Sequence, residues 1–187
     1  ERKFWREREK ELVDKLHIQA TTDQLTGIFN RRVVFDALDE ALENANESQD
    51  REFTTIMFDI DFFKQVNDTY GHAGGDAVLI SFAKLLESEI TSPNIVGRIG
   101  GEEFLAILYL NQDQAAEFCK KLIIKINDNT VNFEGIDIKI SSSGGVAFSS
   151  ETNTSADLTN KADERLYEAK KSGRNRFKLI DSELVGD

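Results

Sequence analysis

Two apolar runs on either side of a glycine pair constrain the fold of this chain more than any other feature. The stretch NIVGRIGGEEFLAILYL, residues 94–110, has strand-forming residues before and after Gly100 and Gly101. Glycine supplies the positive φ angles of tight hairpin turns, so the stretch predicts two antiparallel strands joined by a two-residue turn at this pair. Glu102 and Glu103 follow at once. Acids at a turn are either ordinary solvated residues or the ligands of a divalent cation that binds a polyphosphate.

The rest of the chain alternates between helical and strand-like periodicity. Helices are expected where apolar residues recur at three and four positions, and strands where they alternate or run together. The predicted helices are 31–45 with Asn30 as N-cap, 75–90, one that is capped by Asn111 or Asp113 and runs to about 126, and 156–173. The predicted strands are 53–61, 132–149 and 176–180. Hairpins mixed with helices imply an α/β sandwich whose sheet is partly antiparallel.

The first 20 residues read as a charged helix with a thin apolar seam that includes Trp5, Leu12 and Leu16. Such a seam fits a short coiled coil with a second copy, and it fits equally well a solvated helix packed on its own domain. The chain begins at Glu1 without an initiator Met, so we expect it to be a piece of a longer protein.

Composition excludes several classes of protein. A net charge of −11 argues against a protein that coats nucleic acid. No apolar run reaches the ~18 residues of a membrane span, so no direct membrane contact is expected, although an anchor upstream stays open. Cys119 is the only cysteine and lies among apolar residues. We therefore expect a buried thiol and a reducing, cytoplasmic compartment.

The predicted strand TTIMFDID ends in Asp59 and Asp61, with the carbonyl of Ile60 between them. A carboxylate and a carbonyl at a strand end are the hard oxygen ligands that Mg²⁺ accepts. Taken alone, the stretch fits a metal site and a helix cap at Asp59 equally well. A hairpin beside this strand would bring one of its glutamates to the same ion. Since neighbours on a strand point to opposite faces, one glutamate would bind metal while the other acts as base or second ligand.

Phosphate would have to be met by isolated cations, because neither a Walker loop nor a G-x-G-x-x-G stretch occurs. Lys64 lies one helical turn beyond the acidic strand end, and Lys170 and Arg174 bracket the end of the last helix. Taken singly, each of these cations reads more simply as a surface residue.

The stretch NDTYGHAGGD predicts a glycine-rich loop that holds Asn67, His72 and Asp76. An amide and a carboxylate can read a purine edge, and an aspartate accepts from guanine N1–H and N2–H₂ where adenine has no donor. The alternative is a set of ordinary turn formers. With only two histidines, a His-based zinc site is not expected.

From about Thr22 to Lys178 the chain closely resembles the GGDEF family of diguanylate cyclases. The resemblance rests on DQLTGIFNRR, DIDFFKQVNDTYGHAGGDAVL, RIGGEEF, SSSGGVA and ADERLYEAKKSGRN, which occur in the family's order and spacing. It implies a fold akin to nucleotidyl cyclases and polymerase palms, with a central mixed, largely antiparallel sheet flanked by helices. It also implies a signalling helix at 1–21 as an N-terminal extension and a catalytic domain at 22–187.

The activity that the resemblance implies is the condensation of two GTP into cyclic di-GMP, with release of two pyrophosphates. Asp59 and the carbonyl of Ile60 are then ligands of Mg²⁺, with Mn²⁺ as the alternative ion. Glu102 and Glu103 supply the base and further ligation, in an order that the resemblance leaves open.

Substrate contacts follow from the same resemblance. It implies guanine readers, phosphate-binding cations and a backbone segment that lies against the triphosphate. The guanine readers are Asn67 and Asp76 with His72 as a neighbouring contact, the cations are Lys64, Lys170 and Arg174, and the backbone segment is Phe62 and Phe63.

Two GTP molecules cannot both occupy one half-site, so the resemblance implies a homodimer whose geometry an upstream sensory domain sets through the N-terminal helix. One departure stands out. Where many members carry Arg-x-x-Asp as a product-inhibition site, this chain has Thr91-Ser92-Pro93-Asn94. Two other hypotheses stay open, namely a GTP-binding regulatory domain without turnover and a purely structural dimerisation module.

Overall fold

A computed structural model describes residues 2–48 and 52–186 of the chain. Within them lie five α-helices, eight strands and one short 3-10 helix at Ser149–Glu151. The helices are α1 Arg2–Thr21, α2 Arg31–Glu47, α3 Phe63–Glu89, α4 Gln112–Asp128 and α5 Ser155–Lys171. The strands are β1 Thr54–Ile60, β2 Ile95–Gly100, β3 Glu103–Leu108, β4 Thr130–Phe133, β5 Ile136–Lys139, β6 Ser142–Phe148, β7 Arg176–Lys178 and β8 Glu183–Val185.

Six of these strands form one sheet in the order β2-β3-β1-β6-β7-β8, and β4 and β5 form a separate hairpin. The β6–β7 pair is parallel, whereas the other pairs of this sheet are antiparallel. The predicted mixed, largely antiparallel sheet with flanking helices and an N-terminal helical extension is therefore confirmed.

The two faces of the sheet are covered by different helices. Along β1, Ile56, Phe58 and Ile60 pack into the core formed with α3 and α4. Met57 points the other way, into the core formed with α2 and α5. Because side chains alternate along a strand, Asp59 belongs to the face that α2 and α5 cover. Asp59 thereby faces the helix that carries Lys170.

The N-terminal helix α1 has no buried residue, and Trp5 is 66% exposed. The alternative of a helix packed on its own domain is therefore wrong. Its C-terminal end is tied to the start of α2, where Asn30 Nδ2 and Arg32 Nη2 both donate to the carbonyl of Ala20. Asn30 also caps α2 as predicted, since its Oδ1 accepts from Val33 N. Among the described residues, no helix combines the length and the apolar character needed to cross a membrane.

Two predicted elements differ from the structure. The stretch predicted as a glycine-rich loop is helical and belongs to α3, which has one non-helical residue, Gly71. Glycine serves close packing there, because a Cβ at Gly75 would collide with the side chain of Asn67. The strand predicted at 132–149 is the β4–β5 hairpin followed by β6. Glu134 and Gly135 form its two-residue turn with φ of 50° and 80°, the geometry of a tight hairpin.

Cys119 lies in the core against α3, with no exposed surface. Burial raises the pKa of its thiol to about 12. Since the thiolate is the reactive form, this cysteine is an inert core residue, as predicted.

Gly145 allows close contact between α5 and the sheet, and a half-buried ion pair lies beside this contact. A Cβ at Gly145 would meet the carbonyl of Ala162 on α5, so only glycine allows this approach. Arg165 donates to the carbonyl of Val146 at 2.7 Å and to both oxygens of Glu151 at 2.7 and 2.6 Å. Burial alone would raise the pKa of Glu151, but the Arg165 and Phe148 hydrogen bonds and nearby cations outweigh it and hold the pKa below its ordinary value.

Replacing Glu151 by Gln should lower the free energy of unfolding by about 1–2 kcal/mol at neutral pH, because Arg165 loses its charged partner. The folded-state pKa is lowered, so this stabilisation is present above the unfolded-state pKa and is lost as the pH falls. Urea unfolding from pH 7 down to pH 3 should therefore show the difference shrinking below roughly pH 4. Glu117→Gln, which removes an exposed helix pair, is the control and should change little at any pH. A deficit that is constant down to pH 3 would contradict this account.

Candidate active site

The site begins where β1 and β3 end side by side. The antiparallel register places Asp59 directly opposite Glu103, one residue beyond the buried pair of Phe58 and Phe104. Cross-strand partners lie on the same face of a sheet, so both carboxylates face α5. Beyond this pair, Ile60 N donates to the carbonyl of Glu102 at 3.3 Å. The strand end and the acidic turn therefore meet, as the sequence predicted.

Asp59 is only 6% exposed, and its surroundings disfavour the charged form of its carboxylate. Burial raises the pKa of Asp59 to about 6; Lys170 acts in the opposite direction, and the charges of Glu102 and Glu103 raise it further. Lys170 Nζ lies 2.9 Å from Asp59 Oδ2. One ammonium group therefore faces three carboxylates, and the cluster retains an excess of negative charge.

The turn at this corner lies one residue later than predicted. Gly100 still belongs to β2, and the register between β2 and β3 shifts between Arg98 and Gly100. Gly101, with φ of 50°, and Glu102 form the turn itself. The bulge explains the displacement, because an extra residue on one strand moves the turn without changing the hairpin.

Arg98 links this turn to the loop after α1 by hydrogen bonds. Its Nε donates to the carbonyl of Gly101 at 2.8 Å, and its Nη1 lies 3.2 Å and 3.3 Å from the two carboxylate oxygens of Asp23. Burial alone would raise the pKa of Asp23, but hydrogen bonds from Thr26 and the charge of Arg98 outweigh it, so the pKa is lowered. The loop that follows α1 is thereby fixed to the acidic turn.

The donor set fits a cation that is shared with a phosphate-bearing ligand. Among residues 2–48 and 52–186, no three His, Cys, Asp or Glu side chains form a group that could hold a metal ion alone. Asp59, the Ile60 carbonyl and the two glutamates would supply part of a shell of hard oxygens, and water and phosphate oxygens would have to complete it. A crowded carboxylate with a raised pKa is where an added cation would relieve the most repulsion.

Asp61 does not join this cluster. Its carboxylate accepts from the hydroxyls of Ser141 and Ser143, both at 2.7 Å, and from Asn175 N at 2.9 Å. These donors lie at the start of β6 and in the loop after α5. The second aspartate of the strand end is thus bound within the fold, although the sequence presented both as possible oxygen ligands.

The start of α3 meets the loop after α5 at an aromatic contact. The guanidinium carbon of Arg174 lies 4.6 Å from the centre of the Phe62 ring. Phe62 is the N-cap of α3, and Phe63 and Lys64 follow in its first turn. The first N–H groups of a helix have no partner within it. Backbone donors and a guanidinium therefore lie at one corner, and the exposed Lys64 is on the same helical turn.

The predicted purine readers all lie on α3. Asn67 is half-buried against Gly75, whereas His72 and Asp76 are exposed on the helix beyond the kink at Gly71. The structure thus brings Asn67 next to Gly75, which directly precedes Asp76. The roles of all three as purine contacts stay predictions.

The profile of the family described as "Diguanylate cyclase, GGDEF domain" matches residues 20–176. The chain belongs to the GGDEF domain family. Membership agrees with the resemblance inferred from the motifs and with the position of the acidic turn beside β1.

Relatives of this GGDEF domain include named diguanylate cyclases from two bacteria. Diguanylate cyclase DgcS of Shewanella oneidensis is 36% identical over 170 residues, which cover 91% of this chain and 56% of that protein. Diguanylate cyclase A of Treponema denticola is 36% identical over 168 residues, covering 88% of this chain and 45% of that protein. The chain therefore spans about half the length of these relatives.

Solved structures agree on the fold. Diguanylate cyclase SiaD of Pseudomonas aeruginosa, in complex with its activator SiaC, matches with a TM-score of 0.83 and 32% identity, covering 95% of this chain and 68% of that one. The coiled coil and GGDEF domain of DgcB from Caulobacter crescentus, in complex with c-di-GMP, matches with a TM-score of 0.84 and 29% identity, covering 93% of each chain.

Sequence reasoning missed the residues that support this GGDEF site. Asp23, Arg98 and Asp61 lie inside the quoted motifs, yet no role was predicted for the first two, and the third was considered only as an oxygen ligand. The signal was present, since a charged residue next to a buried strand or turn needs a partner. The identity of that partner, such as Arg98 for Asp23 across 75 positions, depends on the tertiary fold.

Proposed function

We propose that this chain is a diguanylate cyclase, which condenses two GTP molecules into cyclic di-GMP and releases two pyrophosphates. The observation that carries the proposal is the pairing of Asp59 with Glu103 beside Lys170, in a chain of the GGDEF domain family. A buried acidic cluster with one cation nearby is the kind of site that binds a metal–triphosphate, since the metal and the phosphates neutralise each other's charge. Relatives named as diguanylate cyclases support the same reaction.

Mg²⁺, or Mn²⁺ in its place, would be held by Asp59, the carbonyl of Ile60 and the carboxylates of Glu102 and Glu103. When bound, it would neutralise phosphate charge and make the α-phosphorus more electrophilic. The raised pKa of Asp59 supports this assignment, because burial, its largest cause, and the charges of Glu102 and Glu103 both disfavour a carboxylate that a divalent ion would stabilise.

The residues of the chain divide the remaining work. One of Glu102 and Glu103 takes the proton from a ribose 3′-hydroxyl, whose oxygen then bonds to the α-phosphorus of the second GTP. The bond from that phosphorus to the pyrophosphate oxygen breaks, and pyrophosphate leaves with the electron pair. Lys64, Lys170 and Arg174 stabilise the charge on the phosphates, which is usually the largest contribution to such catalysis.

Substrate binding is assigned to two parts of α3, its N-terminus and the stretch from Asn67 to Asp76. The backbone of Phe62 and Phe63 would lie against the triphosphate, where the helix N-terminus offers N–H donors. Asn67 and Asp76 would read the guanine edge, with His72 as a neighbouring contact. An aspartate at position 76 favours guanine, because adenine has no donor at the matching edge.

The reaction would need two protomers that face each other, each with one GTP. The exposed apolar residues of α1, such as Trp5, Leu12 and Leu16, support pairing of this helix with its copy. An upstream sensory domain would then control turnover by setting how the two helices pair. The SiaD structure, a relative in complex with its activator, is consistent with control by a partner.

Two other functions would use the same fold. A GTP-binding regulatory domain would bind GTP without product, and a structural dimerisation module would do neither. The presence of Asp59, Glu102, Glu103 and Lys64 argues against both, since loss of turnover removes the need for these residues. Incubation of the purified protein with GTP and Mg²⁺, followed by chromatography of the nucleotides, separates the three. The assay should be repeated at high protein concentration, because the reaction needs a dimer.

Asp59→Asn and Glu103→Gln should each lower turnover by about 10³-fold or more, because each removes a charge required at the metal and the base. Far-UV circular dichroism should show both variants folded. Asp163→Asn, an exposed acid on α5, is the matched control and should stay within about twofold of wild type. Turnover that survives in either site variant would exclude that residue from the proposed role.

Cyclic di-GMP itself should not inhibit the enzyme through the position of the Arg-x-x-Asp motif. The Thr91–Asn94 segment carries neither charge, and Asn94 Oδ1 already accepts from Tyr109 N at 2.9 Å. Initial rates with added micromolar cyclic di-GMP should equal those without it. Strong non-competitive inhibition would contradict this prediction.

A further inference from the structure

Asp61 is a buried carboxylate that the proposed reaction does not use. It is 4% exposed, and both of its oxygens accept hydrogen bonds. Oδ2 accepts from Ser141 Oγ and Asn175 N, and Oδ1 accepts from Ser143 Oγ. Its own N–H donates to the carbonyl of Ser141 at 2.9 Å. A buried charge is tolerated only when donors surround it, so these contacts define its position tightly.

The segments that Asp61 joins are in unfavourable backbone conformations. Phe62, which follows it directly, has φ of 55°, and Arg174 and Asn175 have φ of 63° and 49°. Residues other than glycine adopt this left-handed region only when surrounding contacts impose it. Phe62 follows Asp61 directly, Asn175 donates its N–H to the Asp61 carboxylate, and Arg174 immediately precedes Asn175. The carboxylate therefore supplies a direct hydrogen bond between these two strained turns.

These turns carry groups assigned to the triphosphate. Phe62 begins α3, with its open N–H donors, and its ring lies under the guanidinium of Arg174. The hydrogen bond from Asn175 N to Asp61 fixes the residue immediately after Arg174. Without that bond, the start of α3 and the loop after α5 would be linked at this corner by the Phe62–Arg174 contact, which a bound phosphate would compete for.

We propose that Asp61 is a positioning residue, which orients the start of α3 and Arg174 for triphosphate binding without touching GTP. This inference rests on the proposed function. The chemistry distinguishes it from Asp59, whose neighbours are a lysine and two acids. Asp61 is surrounded by hydroxyl and amide donors that already occupy both oxygens, so it has little capacity left for a metal ion.

Two substitutions separate geometry from charge. In Asp61→Asn, the amide oxygen can accept from Ser141 and Asn175, while its NH₂ donates to the hydroxyl of Ser143, which is free to rotate. This variant keeps the turn without the charge, and its KM for GTP should stay within about 1.5-fold of wild type. Asp61→Ala releases the turn, so its KM should rise about tenfold or more while kcat changes less than about threefold, the pattern of lost ground-state binding.

Glu151→Ala is the control for a purely structural role. Glu151 is a half-buried carboxylate that likewise accepts from a backbone N–H and a side chain, but it lies beside the opposite end of β6. All variants are assayed at a temperature where circular dichroism shows each one folded. Folded Glu151→Ala should keep the wild-type KM. A KM that rises equally in both alanine variants would mean that Asp61 acts only on stability, which would overturn the inference.

The other possible results also support or overturn the inference. If Asp61→Ala does not fold, Ser141→Ala takes its place, since it removes one donor from the same oxygen; its KM should rise about twofold to threefold. An unchanged KM there, or an Asp61→Asn variant as impaired as Asp61→Ala, would overturn the inference and leave the proposed function standing. Wild-type protein that neither binds GTP, measured by calorimetry with Mg²⁺, nor converts it would overturn the proposed function and this inference together.

Discussion

The repulsion between Asp59 and Glu103 is the interaction on which the rest of the site depends. Like charges directly opposite on neighbouring strands are destabilising, so the β1–β3 register must be stabilised elsewhere. The buried pairs that precede it, such as Phe58 with Phe104 and Ile56 with Ala106, do this. A slip of one residue would turn every core side chain of β1 towards the wrong face. The hydrophobic core thus maintains an acidic cluster that its own electrostatics disfavour.

The opposite charge comes from a helix that reaches the same corner from another part of the chain. Gly145 lets α5 lie directly on β6, because a Cβ there would meet the carbonyl of Ala162. The last turn of α5 then presents Lys170 to Asp59, and the loop beyond it places Arg174 over Phe62. Asp61 joins this loop to the end of β1. Acidic and cationic groups therefore lie at one corner because three separate segments end there.

Much of this arrangement could be predicted from local patterns. Apolar runs around glycine predicted the β2–β3 hairpin, and the strand-end aspartates predicted an acidic edge beside it. The glycines led to wrong predictions of secondary structure at two places where more than one structural use was possible. Gly75 allows close packing within α3, whereas Gly135 forms a real turn that the alternation of isoleucines concealed. A glycine in the sequence does not state which of these two uses applies, because the answer depends on what packs against it.

Long-range pairs could not be predicted from the residues alone. Nothing near Lys170 in the sequence identifies Asp59 as its partner, and the donors around Asp61 come from positions more than 75 residues away. The bulge that moves the turn to Gly101 and Glu102 is likewise a property of strand pairing. The resemblance to a known family supplied roles for individual residues, whereas the structure supplied the physical connections between them.

The central claim is that the end of β1 and the acidic turn form one site for a divalent ion and a triphosphate. Paramagnetic broadening of backbone amide signals by Mn²⁺ tests it most directly, in the presence of 3′-deoxy-GTP, which cannot condense because it lacks the attacking hydroxyl. The account predicts that broadening is strongest at residues 59–64 and 100–103 and depends on the nucleotide. Broadening centred elsewhere, or spread evenly over the acidic surface, would contradict it.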